Sequence, residues 1–272
     1  MKRFALAAVM LAASASAAAC VGYDDLNAGI SYLNLGQYDN AIVWLDKAVA
    51  DGDLIPDHLR IAHLDRGLAY IGKRDGEKAL DAFTAAIAAQ PDDLTAYHER
   101  IVLYNFGGML EKALADYETL NRLRPHDYST VMNMGRTNWF LDRPEASAEA
   151  FAVFSQNHYA WLWLQVAHVR LGKPVDAMPS EITAATPWPA PAVRFYHGEL
   201  SEAEMLTAAA NSNAAGVCQG NLFAGLWRRV HDDSAGAKPL FAAAFNTCPK
   251  GTSNWETAKR ELNRPNAGTK AP

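Results

Sequence analysis

Nowhere in this chain do lysines and arginines gather into a basic patch: 25 of them stand against 30 aspartates and glutamates, a formal charge of -5 at pH 7. Phosphate backbones are bound by clustered cations, so nucleic acid is not an expected partner. Cysteine is scarce, with three in 272 residues. No G-x-S-x-G elbow is present, which removes one common route to a serine nucleophile. The apolar run from Phe4 to Ala13 is too short to span a bilayer.

Three motifs start and stop short. "GLAYIGKRDG", Gly67 to Gly76, has the glycine spacing and the lysine of a phosphate-binding loop. Arg74 stands where that loop needs Ser or Thr for Mg²⁺, and the residues before Gly67 follow helical rather than strand spacing. "YHERIV" begins like a zinc-protease helix at His98 and Glu99, but Val102 stands where the second histidine is required. His231, Asp232 and Asp233 fall at an expected turn with no further ligand signalled nearby, so no metal or cofactor is expected.

What is present is a repeat. The register Gly67, Tyr70, Ala79, Phe83, Ala86, Pro91 has an earlier copy in Gly29, Tyr32, Ala41, Leu45, Ala48, Asp53. Two later copies follow at an even interval, as Ile101, Tyr104, Ala113, Tyr117, Leu120, Pro125 and as Gly135, Asn138, Ser147, Phe151, Phe154, Tyr159. Small residues where two helices cross, and large ones between them, at a period of about 34 residues resemble the tetratricopeptide repeat. Gly67 is then small because helix A closely approaches helix B. The interval from Gly29 to Gly67 is longer than the one from Gly67 to Ile101, and the extra residues fall in "ADGDLIPD".

The register returns at Gly225, Ala237, Phe241, Ala244 and Pro249, followed by "SNWETAKREL", which would cover the exposed end of the array. Between the two blocks, "YAWLWLQVAHVRLG" reads as a helix ended by Gly172, "TPWPAP" as a stiff connection, and Ser201 with Glu204 as a capping box. The expected fold is all-α: helical hairpins in a right-handed superhelix with irregular C-terminal helices and a capping helix. The expected divisions are repeats over 23–158, an irregular segment over 159–212, a last hairpin with its cap over 213–262, and a disordered tail over 263–272.

Residues 1–19 have the form of a secretory signal, with Lys2 and Arg3 ahead of the apolar run and small residues after it. Its removal would leave a charge near -7 (-5 minus 2). "ASAAAC" admits either ordinary cleavage or lipid attachment at Cys20, with Ala17 where lipoproteins usually carry Leu. An exported chain sits in an oxidising compartment. Cys218 at the start of one helix and Cys248 at the end of its antiparallel partner share one end of the hairpin, so a disulfide between them is expected.

Helix A of each repeat lines the inner wall. The expected partner-binding residues are His98, Asn105 and Phe106 in the third repeat and Met132, Arg136, Trp139 and Phe140 in the fourth, beside the inward Val102. Trp139 and Phe140 have two places open to them, a peptide groove or packing against the helices around Trp161 and Trp163. The columns Leu26, Leu64, His98, Met132 and Ile30, Leu68, Val102, Arg136 do not form a clamp for a terminal carboxylate.

The signal ending at Cys20, the early repeats, "YAWLWL" at Tyr159, "VRFYHGELSEAEML" at Val193 and the final repeat with its cap are in an order similar to the periplasmic lipoprotein family NlpI. The resemblance covers nearly the whole mature chain and implies a homodimeric adaptor, lipid-anchored at the outer membrane, which presents substrates to a periplasmic protease and gathers peptidoglycan hydrolases. The expected function is thus a noncatalytic, exported adaptor for protein or peptide partners. The alternatives are an envelope enzyme using His98, Glu99 or His231, and an assembly factor for secreted polymers.

Overall fold

The computed structural model describes residues 22–177, 179–180 and 187–264. The expected signal segment with Cys20, and the residues after 264, lie outside these. Among the described residues every regular element is a helix, as the repeat register requires. The chain falls into two compact units, Met1–Leu123 and Arg124–Pro272.

The first unit holds three hairpins: α1 (22–34) with α2 (Tyr38–Ala50), α3 (Pro56–Gly72) with α4 (Gly76–Ala89), and α5 (Leu94–Phe106) with α6 (Leu110–Leu123). The first two hairpins close where the register puts a glycine opposite a large residue. A Cβ on Gly67 would lie 2.4 Å from the Phe83 ring, and one on Gly29 would lie 2.6 Å from Leu45. The third hairpin departs from this, with Ile101 at the small-residue position and Tyr117 at the large one, both buried.

The turn between the paired helices also repeats. Gly36, Arg74, Gly108, Asp142 and Asp232 occupy one register position, and all have φ between 56° and 70°. Arg74 therefore occupies the residue after Lys73 because the chain reverses there in the left-handed region. That conformation costs a non-glycine residue about 1–2 kcal/mol.

The second unit runs α7 (Tyr128–Phe140), α8 (Pro144–Ala152), α9 (His158–Arg170), α10 (Ala190–Tyr196), α11 (Glu202–Ala210), α12 (Ala214–Val230), α13 (Ser234–Thr247) and α14 (Ser253–Asn263). Gly135 against Phe151 and Gly225 against Phe241 keep the close approach, at 2.5 and 2.7 Å. The boundary expected at residue 158 differs from the division seen, because the fourth hairpin packs with the helices that follow it. Phe151 of α8 stacks on Trp163 of α9 at 5.4 Å, and Trp163 meets Trp139 and Phe223 edge-on.

Helix α9 is buried on every side from Ala160 to Ala167 and forms the centre of this unit. Asn157 caps it by accepting from the Tyr159 and Ala160 amides. The connection expected in "TPWPAP" is shorter than it reads, since α10 begins at Ala190 with Pro191 in its first turn, where a missing N–H is harmless. Tyr196 of α10 donates its buried hydroxyl to the Phe223 carbonyl at 2.8 Å. The capping box at Ser201 and Glu204 is formed in full, and α11 packs on α12 where Ala209 meets Gly220.

Cys218 of α12 and Cys248 after α13 are joined by a disulfide, with 4.7 Å between their Cα atoms. Closing a loop with a sequence separation of 30 residues stabilises by about 3–4 kcal/mol in the chain-entropy model. Reducing the purified protein should lower its melting temperature to match the Cys218→Ser/Cys248→Ser variant; a thiol count on oxidised, denatured protein should find neither cysteine free.

Two substitutions separate the close approach from the turn. Gly67→Val should destabilise by about 1–3 kcal/mol through overpacking on Phe83, whereas Arg74→Gly should be neutral or stabilising by up to about 1 kcal/mol. Urea melts check both, and equal losses would mean that the repeat contact is not what holds the hairpin.

Candidate functional site

The hairpin contact buries one side of each helix A and leaves the opposite side to be covered or exposed. On α5 it is exposed. Phe106 is 88% and Val102 59% accessible, and they are spaced one turn apart with His98 a further turn back and also exposed.

The rest of α5 is firmly held. Arg100 forms a two-pronged pair with the buried Asp116 of α6, at 2.8 and 2.7 Å, and also donates to Thr84 of α4 at 3.0 Å. Asp93 caps the helix by accepting from the Thr95 amide and is paired with Arg60 of α3 at 3.2 Å. Tyr97 donates to the Pro91 carbonyl. A half-buried guanidinium paired with a buried carboxylate gives α5 a fixed pose, so Phe106 is an exposed apolar side chain on a rigid support.

Asn105, expected to face a partner, is half-buried and donates to the Tyr117 hydroxyl at 3.3 Å, which ties α5 to α6. On α3 the side chain of Asp65 is partly buried, and loss of solvent pushes its pKa up to about 6 against the opposing charge of Arg60. A carboxyl raised in the folded state weakens the fold above that pKa. The penalty disappears as pH falls from about 6 towards the ordinary 3.8.

In the second unit the register positions of His98, Val102 and Phe106 fall on Met132, Arg136 and Phe140, and these, with Trp139 beside them, are buried or half-buried by the chain itself. Trp139 and Met132 are buried, which corrects their expected place on an open groove. The Trp139 indole donates to the Glu261 carboxylate of α14 at 2.7 Å, and Arg264 lies over the same ring at 5.3 Å. Arg260 covers the half-buried Phe140 at 5.5 Å. Arg136 is half-buried and donates to Asn133. Glu261 is fully buried and is held by Arg229 and Arg264, each at 3.3 Å. Sequence order marks α14 as a cover for the last hairpin, but nothing in its pattern shows that it also reaches α7, 122 residues away.

The remaining motif residues serve the fold. Asp233 caps α13 through the Gly236 amide and pairs with Arg228, and both effects hold its pKa below the usual carboxylate range. His231 packs on the Trp227 ring at 4.3 Å, with Nδ1 2.8 Å from the Trp227 carbonyl. Among the described residues no group of three or more His, Cys, Asp or Glu is arranged to hold a metal ion.

Residues 26–50, which span most of α1 and α2, match the family model for the tetratricopeptide repeat. The fold is a tetratricopeptide-type helical repeat. A tetratricopeptide repeat protein from Parabacteroides merdae is similar, with a TM-score of 0.52 at 17% identity over 89% of this chain and 99% of that one. So is the C-terminal part of a repeat-containing protein from Cytophaga hutchinsonii, with a TM-score of 0.50 at 13% identity over 87% of each. At such identities the likeness concerns the repeat fold alone.

The contrast between α5 and α7 is measurable. Trp139→Ala should destabilise by about 3–5 kcal/mol, the usual cost of removing a buried aromatic, and Phe106→Ala by less than about 0.5 kcal/mol. Chemical melts followed by circular dichroism would distinguish them; a mild Trp139→Ala would put that ring back on the surface.

Proposed function

We propose that this chain is a noncatalytic, exported adaptor of the bacterial cell envelope that binds protein or peptide partners through its helical repeats. The observation that carries the reading is the exposed apolar stripe of Val102 and Phe106 on a helix fixed by buried ion pairs. A large aromatic left in water on a rigid support is a feature of interaction surfaces, where a few such side chains supply most of the binding energy. The repeat fold supports the reading, because helical hairpins of this type serve as scaffolds for other proteins.

The envelope location rests on the signal-like residues 1–19 and on the disulfide, which is suited to an oxidising compartment. The similarity in feature order to the NlpI family extends the proposal to a lipid anchor at Cys20, a homodimer, and a periplasmic protease or peptidoglycan hydrolase as partner. Each of these is a part that can fail separately.

Cross-linking in living cells, with a C-terminal tag and mass spectrometry of the captured proteins, tests the adaptor. Capture of an envelope protease or murein hydrolase that Phe106→Ala reduces severalfold is the expected result. Hydrolysis of peptidoglycan or peptides by the purified protein alone would contradict it.

A further inference from the structure

The ionisable residues divide unevenly between the two units. Residues 22–123 carry 17 acidic and nine basic side chains (9 minus 17, or -8), and residues 124–272 carry 13 acidic and 14 basic (+1). In the first unit Asp25, Asp39, Asp46, Asp57, Asp75, Asp93 and Asp116 are all engaged by lysine or arginine. The unbalanced charge therefore belongs to other carboxylates.

Two of these stand in register on neighbouring helices A. Glu99 of α5 precedes Val102 by three residues and Phe106 by seven, which puts all three on one stripe of the helix. Asp65 occupies the same place on α3, one repeat earlier, with Leu68 following it by three. No hydrogen bond or ion pair joins Asp65 to another described residue, and the nearby Arg60 is taken by Asp57 and Asp93. Asp65 is half-withdrawn from water with only the already engaged Arg60 nearby, and burial outweighs that charge. A cation brought by a partner would offset that burial.

Resting on the adaptor reading, we infer that α3 and α5 dock a basic amphipathic segment of a partner protein: its apolar side chains cover Val102 and Phe106, and its lysines or arginines meet Glu99 and Asp65. The apolar stripe supplies the contact area, and the carboxylates select the sign. Segments of negative charge are repelled by the whole unit, and those of positive charge are drawn to it.

The test titrates the full chain against fluorescein-labelled synthetic helices of about four turns, read by anisotropy. One helix carries lysine on one face and leucine on the other; a second replaces lysine with glutamate, and a third replaces leucine with serine. The lysine–leucine helix should bind, and each control should be weaker by about tenfold or more. Phe106→Ala, Glu99→Gln and Asp65→Asn should each weaken it severalfold, with Asp65→Asn also raising the melting temperature at pH 7. Asp81→Asn, an exposed carboxylate on α4, should leave the affinity unchanged.

Equal affinity for the lysine and glutamate helices would overturn the inference, as would a loss in Asp81→Asn matching that in Glu99→Gln, which would mean diffuse attraction. A photo-crosslinker placed at position 106 in cells separates the two levels of the proposal. A captured segment poor in lysine and arginine, or a second copy of this chain, would overturn the basic partner and leave an interaction surface standing; no captured segment at all would remove the adaptor reading as well.

Discussion

Four of the five repeat hairpins depend on one contact: a helix A residue with no side chain pressed against a large side chain on helix B. Gly29 with Leu45, Gly67 with Phe83, Gly135 with Phe151 and Gly225 with Phe241 all place the missing Cβ between 2.4 and 2.7 Å from the partner side chain. Backbones can approach this closely only at glycine, and the large partner fills the space that the approach creates. The contact also fixes the rotation of helix A about its own axis. It thereby determines which side chains are left for other purposes.

That leftover face has two fates in this chain. On α5 it stays open, with Phe106 in water and Arg100 holding the helix from behind. On α7 it is covered by α14, whose Glu261 and Arg264 engage Trp139 and whose Arg260 covers Phe140. Burying Glu261 is tolerable only because the Trp139 indole and two guanidiniums compensate its charge. A repeat array must bury or cap its terminal faces, and here the second unit does so with its own last helix. The charges diverge with the faces: the unit with the open stripe holds the acidic excess, and the unit whose groove is self-filled is nearly neutral.

Most of the fold can be read from the sequence because the hairpin contact is local. The short span from Gly67 to Phe83, with its turn residue and its small–large pair, is visible in one pass along the chain and recurs at every copy but the third, where Ile101 replaces the glycine. The capping box at Ser201 and the pairing of Cys218 with Cys248 are legible for the same reason. Helix α10 is hidden because prolines at 189 and 191 read as a linker, although Pro191 lies in a first turn, where proline belongs. For the candidate site, helical spacing correctly puts Phe106 and Val102 on one face. It does not distinguish that face from its equivalent on α7, at Arg136 and Phe140, because the cover there comes from α14, whose Arg260 lies over Phe140. Asp65 draws no notice in the sequence, since a lone aspartate on a helix carries no signal until its missing partner is seen.

Hydroxyl-radical labelling of the intact protein, read residue by residue by mass spectrometry, addresses the open and the covered face in one experiment. Rapid oxidation of Phe106 with Trp139 protected until the fold is lost is the result expected. Oxidation of Trp139 at a rate matching Phe106, under conditions where circular dichroism reports a folded chain, would contradict the central claim that α14 covers α7 while the stripe on α5 stays open to water.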